Sequence, residues 1–155
     1  MRYKQPTSVL VIVHTPDLLV LLIERADFPD HWQCVTGSQE PGETLAQTAR
    51  RELAEETGLD ALRYGDVRDW GWFNDYEIFP QWRYRYAPGT THNREHAFSL
   101  QVPAPIEVRL AAREHTAQLW LPWREAALKC FSWSNRAAIE QLPARSNSLR
   151  GPVQA

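Results

Sequence analysis

Two short apolar runs open the chain: Val9 to Val13 is continuous and largely β-branched, and Leu18 to Ile23 follows after the break Thr15-Pro16-Asp17. Unbroken apolar runs of this length, bounded by turn residues, predict buried strands, here joined as a hairpin. Trp32 to Val35 predicts a short strand ending at Thr36-Gly37, and Trp70 to Phe73, Glu77 to Tyr84, Ala97 to Val102 and Gln118 to Leu121 predict further ones. Between Thr44 and Gly58 the period changes. Leu45, Ala49 and Leu53 recur every four residues with Ala46 beside them, which is the buried stripe of an amphipathic helix. Thr44 with Gln47 three residues later is a capping-box start, and Gly58 followed by Leu59 is a stop. A second helix is predicted from Asn135 to about Leu142, capped by Ser134, with Ala138, Ile139 and Leu142 on one face. Strands, helix, strands and helix in that order predict an α/β fold with a mixed sheet between helices. Residues 1–142 are expected to form one domain, and the polar stretch 143–155 a flexible tail.

Composition narrows the class. The 155 residues carry 17 Lys and Arg against 19 Asp and Glu, a net charge of −2, without the basic footprint of a nucleic-acid binder. No window approaches the ~20 apolar residues of a membrane span, and the N-terminal stretch lacks the pattern of a secretory signal. Cys34 and Cys130 form no metal or disulfide spacing, so a reducing cytoplasm is expected. Seven tryptophans in so short a chain raise the question of what flat surface they serve.

The acids of the first helix lie where local stability disfavours them. At about 100° per residue, Glu56 projects nearly in line with the apolar stripe, Glu52 borders it and Glu55 stands further round the flank. Glu52 and Glu56 are a like-charge i,i+4 pair, and all three sit near the helix C-terminus, where the dipole disfavours anions by about 0.3–1 kcal/mol each. One reading is a solvated acidic face helped by Arg51 and Glu55. It leaves unexplained why carboxylates align with an apolar stripe. A bound hard cation explains it, because Mg²⁺ takes oxygen ligands from a few carboxylates together with substrate phosphates.

The segment Gly37, five residues, Glu43, seven residues, then Arg51-Glu52-Leu53-Ala54-Glu55-Glu56-Thr57-Gly58-Leu59 resembles the complete Nudix box, G-x5-E-x7-R-E-U-x-E-E-x-G-U, at every defining position. The resemblance implies an α/β/α sandwich that uses water to hydrolyse a nucleoside-diphosphate-linked compound, with Mg²⁺ or a substituting Mn²⁺. By position it makes Glu52 and Glu56 the main metal ligands and Glu55 a further ligand or base. It makes Arg51 the residue orienting the glutamates, Glu43 a helix-start anchor and Gly37 a backbone-carbonyl ligand. Many members recruit another carboxylate from a loop. Glu114, before the Gln118 to Leu121 strand, is the candidate here for a metal and catalytic role, with a surface glutamate as the alternative.

Outside the box, Lys4-Gln5-Pro6, Asp30 to Ser38, Glu77-Ile78-Phe79, Arg85 to Gly89, Trp120-Leu121 and Ser132 to Arg136 are similar to one branch of the family, the bacterial dihydroneopterin triphosphate pyrophosphatases of folate biosynthesis. That branch implies a substrate site using Thr36, Tyr76, Glu77, Ile78, Phe79 and Ser132. Lys4 and Arg25, each at the end of a predicted strand, are candidate phosphate contacts, or else solvated charges. The cluster Trp72-Phe73, Tyr76 and Phe79 offers stacking worth about 1–3 kcal/mol per base, or an ordinary strand core. His92 and His96 are read as surface histidines rather than a zinc pair. The expected partner is a small-molecule pterin or nucleoside triphosphate, bound by a monomer or weak dimer. The alternatives are a nucleotide-pool hydrolase acting on dATP or oxidised purine triphosphates, and a sensor that binds nucleotide without cleaving it.

Overall fold

The computed structural model describes residues 2–149, with side chains through Ser146. Its central strand, β1 (Thr7–His14), is apolar from Val9 to Val13 because both of its faces are covered there. Val9, Val11 and Val13 pack with Ala49 and Leu53 of helix α1 (Leu45–Thr57). Leu10 and Ile12, pointing the other way, pack with Ala126 of α2 (Trp123–Lys129) and with Ile139 and Leu142 of α3 (Trp133–Leu149). The period-2 alternation of one strand therefore feeds two cores, and the result is the expected sandwich of a sheet between helices.

The remaining strands are β2 (Leu19–Arg25), β3 (Trp32–Gln33), β4 (Val35–Ser38), β5 (Arg68–Glu77), β6 (His92–Gln101) and β7 (His115–Pro122). The sheet is mixed: β1 runs parallel to β6 and antiparallel to β4, and β5 closes the far edge antiparallel to β6. β1 and β2 pair only at His14 and Val20, beside the turn, where Leu18 takes φ 65. Beyond that point they diverge. β1 takes β4 as its neighbour, while β2 lies between β7 and β3. At the end of the sheet remote from the turn a cleft of about 630 Å³ opens, lined by Ser8 of β1, Arg25 of β2, Gln33 of β3 and Thr36 of β4.

Four expectations need correction. Trp32 to Val35 is not one strand: it breaks at Cys34, whose N–H donates to Asn135 Oδ1 at 2.9 Å, so that β3 pairs with β2 and β4 with β1. Glu77 to Tyr84 is not a strand either. β5 ends at Glu77, and Pro80–Arg85 forms a 3-10 helix with Pro80 at its start, where a missing N–H and a preset φ are tolerated. The last helix does not stop at Leu142 but runs through Pro143 to Leu149. Arg145 holds the extension, donating to the Trp70 carbonyl at 2.9 Å with its guanidinium 5.0 Å from the Trp70 ring centre. The expected tail therefore begins inside a helix, and its residues 150–155 lie outside the described residues. Helix α2 and the 3-10 turn Ala61–Tyr64 had no sequence expectation at all.

His92 and His96 both lie on β6, four strand residues and so about 13 Å apart. Among the described residues no helix is long and apolar enough to cross a membrane.

Helix α1 has the predicted ends: Thr44 accepts from the Gln47 N–H, the Gln47 side chain returns to the Thr44 N–H, and Gly58 sits at φ 73. A Cβ at Gly58 would meet Arg109 at an ordinary 3.4 Å, so the cost of a side chain there is backbone strain rather than a clash. Gly58→Ala should lower the unfolding free energy by about 1–2 kcal/mol. Urea titration reads this as a lower midpoint at unchanged slope, and an unchanged midpoint would contradict it.

Candidate active site

The loop between β4 and α1 is tied to the helix by one guanidinium. Arg51 donates from Nε and Nη2 to the two carboxylate oxygens of Glu43 at 2.7 and 2.9 Å, from Nη2 to the Ser38 carbonyl at 3.0 Å, and from Nη1 to Glu52 Oε1 at 2.7 Å. Glu43 also accepts from the Thr48 hydroxyl at 3.0 Å and the Glu40 N–H at 2.9 Å. Fork-to-fork geometry fixes direction as well as distance. The Arg51 hydrogen bonds, supported by the Glu40 N–H and Thr48, hold the Glu43 carboxyl down at about 2. Glu43 is thus the loop anchor, and Arg51 holds the Glu52 carboxylate in place.

Glu52 and Glu56 lie one helical turn apart, and both are buried. Their carboxyl groups meet. Burial raises both, and the neighbouring Glu52 and then the charge of Glu114 hold Glu56 well above the usual carboxylate range. Glu56 Oε1 is buried with no hydrogen-bond partner, and neutral His115, held down to about 4 by burial and then by Arg25, stands 3.7 Å from it. Gly37, opposite Val9 in the sheet, faces the same helix, and a Cβ there would overlap the Glu52 carboxyl group. Two buried hard oxygen donors, one of them orphaned, against a backbone that tolerates no side chain, suit a divalent cation.

Not every acid of the box converges. Among the described residues no three His, Cys, Asp or Glu side chains come together in a ligating group. Glu55 is half exposed, with its Oε2 3.4 Å from Arg51 Nη1, and Glu114 is an exposed residue lining the same cleft just before β7.

The cations stand on another wall. Lys4 is bridged to Tyr86, its N–H donating to the Arg85 carbonyl at 2.9 Å. Lys4 is exposed by area yet stands in the concavity, where the surrounding protein and then the Arg85 guanidinium hold its ammonium below the usual value. Arg25 is clamped by Asp27 at 2.7 and 2.8 Å and lies 4.5 Å from the Trp82 ring centre. Thr36, Tyr76, Ile78, Phe79 and Ser132 also line the cleft.

Glu77 does not. It follows Tyr76 on β5, points away, and pairs with Arg83 at 2.6 Å. Trp72 and Phe73 are likewise elsewhere, Trp72 against the α2/α3 core and Phe73 4.1 Å beneath the Arg94 guanidinium. Among the rings that line the cleft, Phe79, Trp82 and Phe131 are in mutual contact at centroid distances of 5.4 to 6.1 Å. Sequence reading missed Trp82 and Phe131, together with Arg85, Asn93 and Glu95. The Pro80 helix start was the one available signal for Trp82.

The pattern of the NUDIX domain matches residues 4–142. The chain is 45% identical over 141 residues to the dihydroneopterin triphosphate diphosphatase of Escherichia coli, covering 90% of this chain and 93% of that protein. It is 40% identical over 143 residues to the dihydroneopterin triphosphate diphosphatase of Haemophilus influenzae, covering 91% and 89%. The structure of the E. coli dihydroneopterin triphosphate pyrophosphohydrolase superposes with a TM-score of 0.86 at 42% identity, over 94% of this chain and 99% of that one. A Caenorhabditis elegans Ap4A hydrolase, 18% identical with a TM-score of 0.69, shares the fold.

The Arg51–Glu43 clasp carries a sign. Because the folded-state value of Glu43 lies below its ordinary 4.5, its stabilisation is complete above pH 4.5 and lost as pH falls toward 2. Wild type should therefore lose stability across that window more steeply than Glu43→Gln, measured by denaturant midpoints at each pH, and parallel curves would refute the clasp. For the cation, Mg²⁺ at a hundred times its Kd should stabilise wild type by about 2.7 kcal/mol. Glu56→Gln should forfeit that increment in thermal melts, whereas an equal gain in both proteins would place the cation elsewhere.

Proposed function

This chain belongs to the Nudix hydrolase family, and from that premise we propose that it hydrolyses 7,8-dihydroneopterin 3′-triphosphate to dihydroneopterin monophosphate and pyrophosphate with Mg²⁺. The observation that carries this reading is the division of one cleft. Glu52 and Glu56 lie against Gly37, Lys4, Arg25 and Arg85 form a cationic wall, and Phe79, Trp82 and Phe131 supply aromatic faces. A triphosphate joined to a flat bicyclic ring needs all three. The relatives that share most of this chain's length are named for that substrate.

In this reading Lys4, Arg25 and Arg85 bind the phosphates, and Arg25 stays oriented because Asp27 and the Trp82 face hold its guanidinium. Glu52 and Glu56, with the Gly37 carbonyl, would hold Mg²⁺, and Glu114, which lines the same cleft, would be a further ligand. When bound, the cation neutralises phosphate charge and lowers the pKa of the attacking water. Glu55, the box acid open to solvent, takes the proton. Arg51 touches no substrate; it keeps Glu52 directed at the cation. Thr36, Ser132, Tyr76 and Ile78 line the passage between the phosphate wall and the aromatic rings. The enzyme works on a small molecule in the cytoplasm, where its two free cysteines stay reduced.

A panel of dihydroneopterin triphosphate, dATP and 8-oxo-dGTP with product identification tests the assignment. The pterin triphosphate should show the highest kcat/KM and release pyrophosphate, and a clear preference for dATP would reject it. Loss of a partner that only orients a metal ligand costs 10–100-fold, so Glu56→Gln, which removes a ligand, should lower kcat by more than about 100-fold.

A further inference from the structure

Among the buried polar side chains of the cleft, Asn93 and Glu95 have no part in the phosphate and cation chemistry. Asn93 and Glu95 are two residues apart on β6 and therefore on one face, the face on which Ala97 joins the α2/α3 core. Both line the cleft. Asn93 is 1% exposed, and its Nδ2 donates to Ser8 Oγ at 2.7 Å and to the Tyr76 hydroxyl at 3.1 Å. Those two bonds use both amide hydrogens and fix the orientation of the group, leaving Oδ1 buried without a partner. Glu95 is 5% exposed, and among the described residues no Lys, Arg or His forms an ion pair with it. Burial holds its carboxyl up at about 7, with the Ser134 hydroxyl offsetting part of the effect.

Buried acceptors without donors are costly to fold and are rare unless something else satisfies them. Asn93 Oδ1 is such an acceptor, and Glu95, which receives only the Ser134 hydroxyl, has no cationic partner among the described residues; both residues line a cleft rather than a sealed core. The group that completes them must bring N–H donors. Aromatic stacking on Phe79, Trp82 and Phe131 accepts any base, so selectivity has to come from the ring edge.

We infer that Glu95 and Asn93 are the specificity-determining pair for the base, accepting from the adjacent 2-amino and ring N–H donors of a 2-amino-4-oxopyrimidine, the edge that pterins and guanine share. The inference rests on the proposed function for the substrate that presents this edge. Adenine on its corresponding edge has one donor beside a ring-nitrogen lone pair. It would satisfy one acceptor and turn a lone pair toward the other. A site built to hydrogen-bond a group rejects the analogue that lacks it, because its own polar atoms are then left unpaired. Tyr76 and Ser8 act through Asn93: by accepting from its amide they keep Oδ1 facing the cleft.

The test compares wild type with Glu95→Gln. The ratio of kcat/KM for dihydroneopterin triphosphate over dATP should fall about 100-fold in the variant, within the range a lost edge contact gives. The fall should appear in KM and in weaker calorimetric binding of phosphate-free 7,8-dihydroneopterin. A merely structural role would shift the melting temperature and leave the ratio alone. Should Glu95→Gln fail to fold, wild type alone still decides, because dITP lacks only the 2-amino group of dGTP and should bind at least about tenfold more weakly. An unchanged ratio, or equal binding of dITP and dGTP, overturns the inference while hydrolysis of the pterin triphosphate stands. A wild type that discriminates dGTP from dITP but does not cleave the pterin triphosphate supports the edge contact and refutes the proposed substrate.

Discussion

Two carboxylates buried side by side against a backbone glycine are the constraint that organises this molecule. Glu52 and Glu56 gain nothing from the helix that carries them: they repel each other one turn apart, oppose the dipole, and lose their hydration. Their position is held by structure that surrounds them. The capped start at Thr44 sets the phase of α1, Leu53 and Ala49 press it onto the sheet, and Arg51 binds the preceding loop through Glu43 and Ser38. Burial and their mutual proximity raise both carboxyl groups above the usual range. The fold thus holds an arrangement that costs local stability, as expected where stability is given up for function.

How much of this could be read from the sequence follows from how local each feature is. Helix α1, its caps and the glutamate pair follow from spacing within Gly37 to Leu59, and the roles of Arg51 and Glu43 from the resemblance that the same segment carries. The rest of the cleft is assembled by pairings distant in sequence. Cys34 looked like the middle of a strand because its neighbours are apolar, yet Asn135, from the other end of the chain, takes its N–H and splits the strand. Glu77 looked like part of a substrate segment, but alternation along β5 directs Tyr76 inward and Glu77 outward. Glu95 carried no signal at all, since a charged residue in His92–Gln101 reads as solvent-facing until β1 and β5 are known to flank the strand.

The tryptophans illustrate the same limit. Of the seven, Trp82 alone lines the cleft. Trp32 and Trp70 are core residues, Trp72 and Trp123 pack against that same core, and Trp120 is fixed by its indole N–H to the Ile106 carbonyl at 2.9 Å. Trp133, at the start of α3, is exposed. Composition raised the question of a flat surface without saying which rings form it, because the count of a residue type does not distinguish stacking from packing.

A near-neutral chain can still present opposite charges a few residues from each other, and the cleft depends on keeping them from cancelling. If Lys4 or Arg25 paired with Glu52 or Glu56, neither phosphate nor cation would have a site. Local partners keep them apart: Asp27 holds Arg25 through two hydrogen bonds, Arg51 holds Glu52, and Glu56 is buried beside His115. Asp27 also stands 3.7 Å from Arg85, so one surface carboxylate restrains two guanidiniums without neutralising either fully. The net charge of −2 is therefore the sum of separated fields, and their separation follows from topology: the acids ride on α1 on one face of the sheet, while the cations stand on loop and strand ends across the cleft.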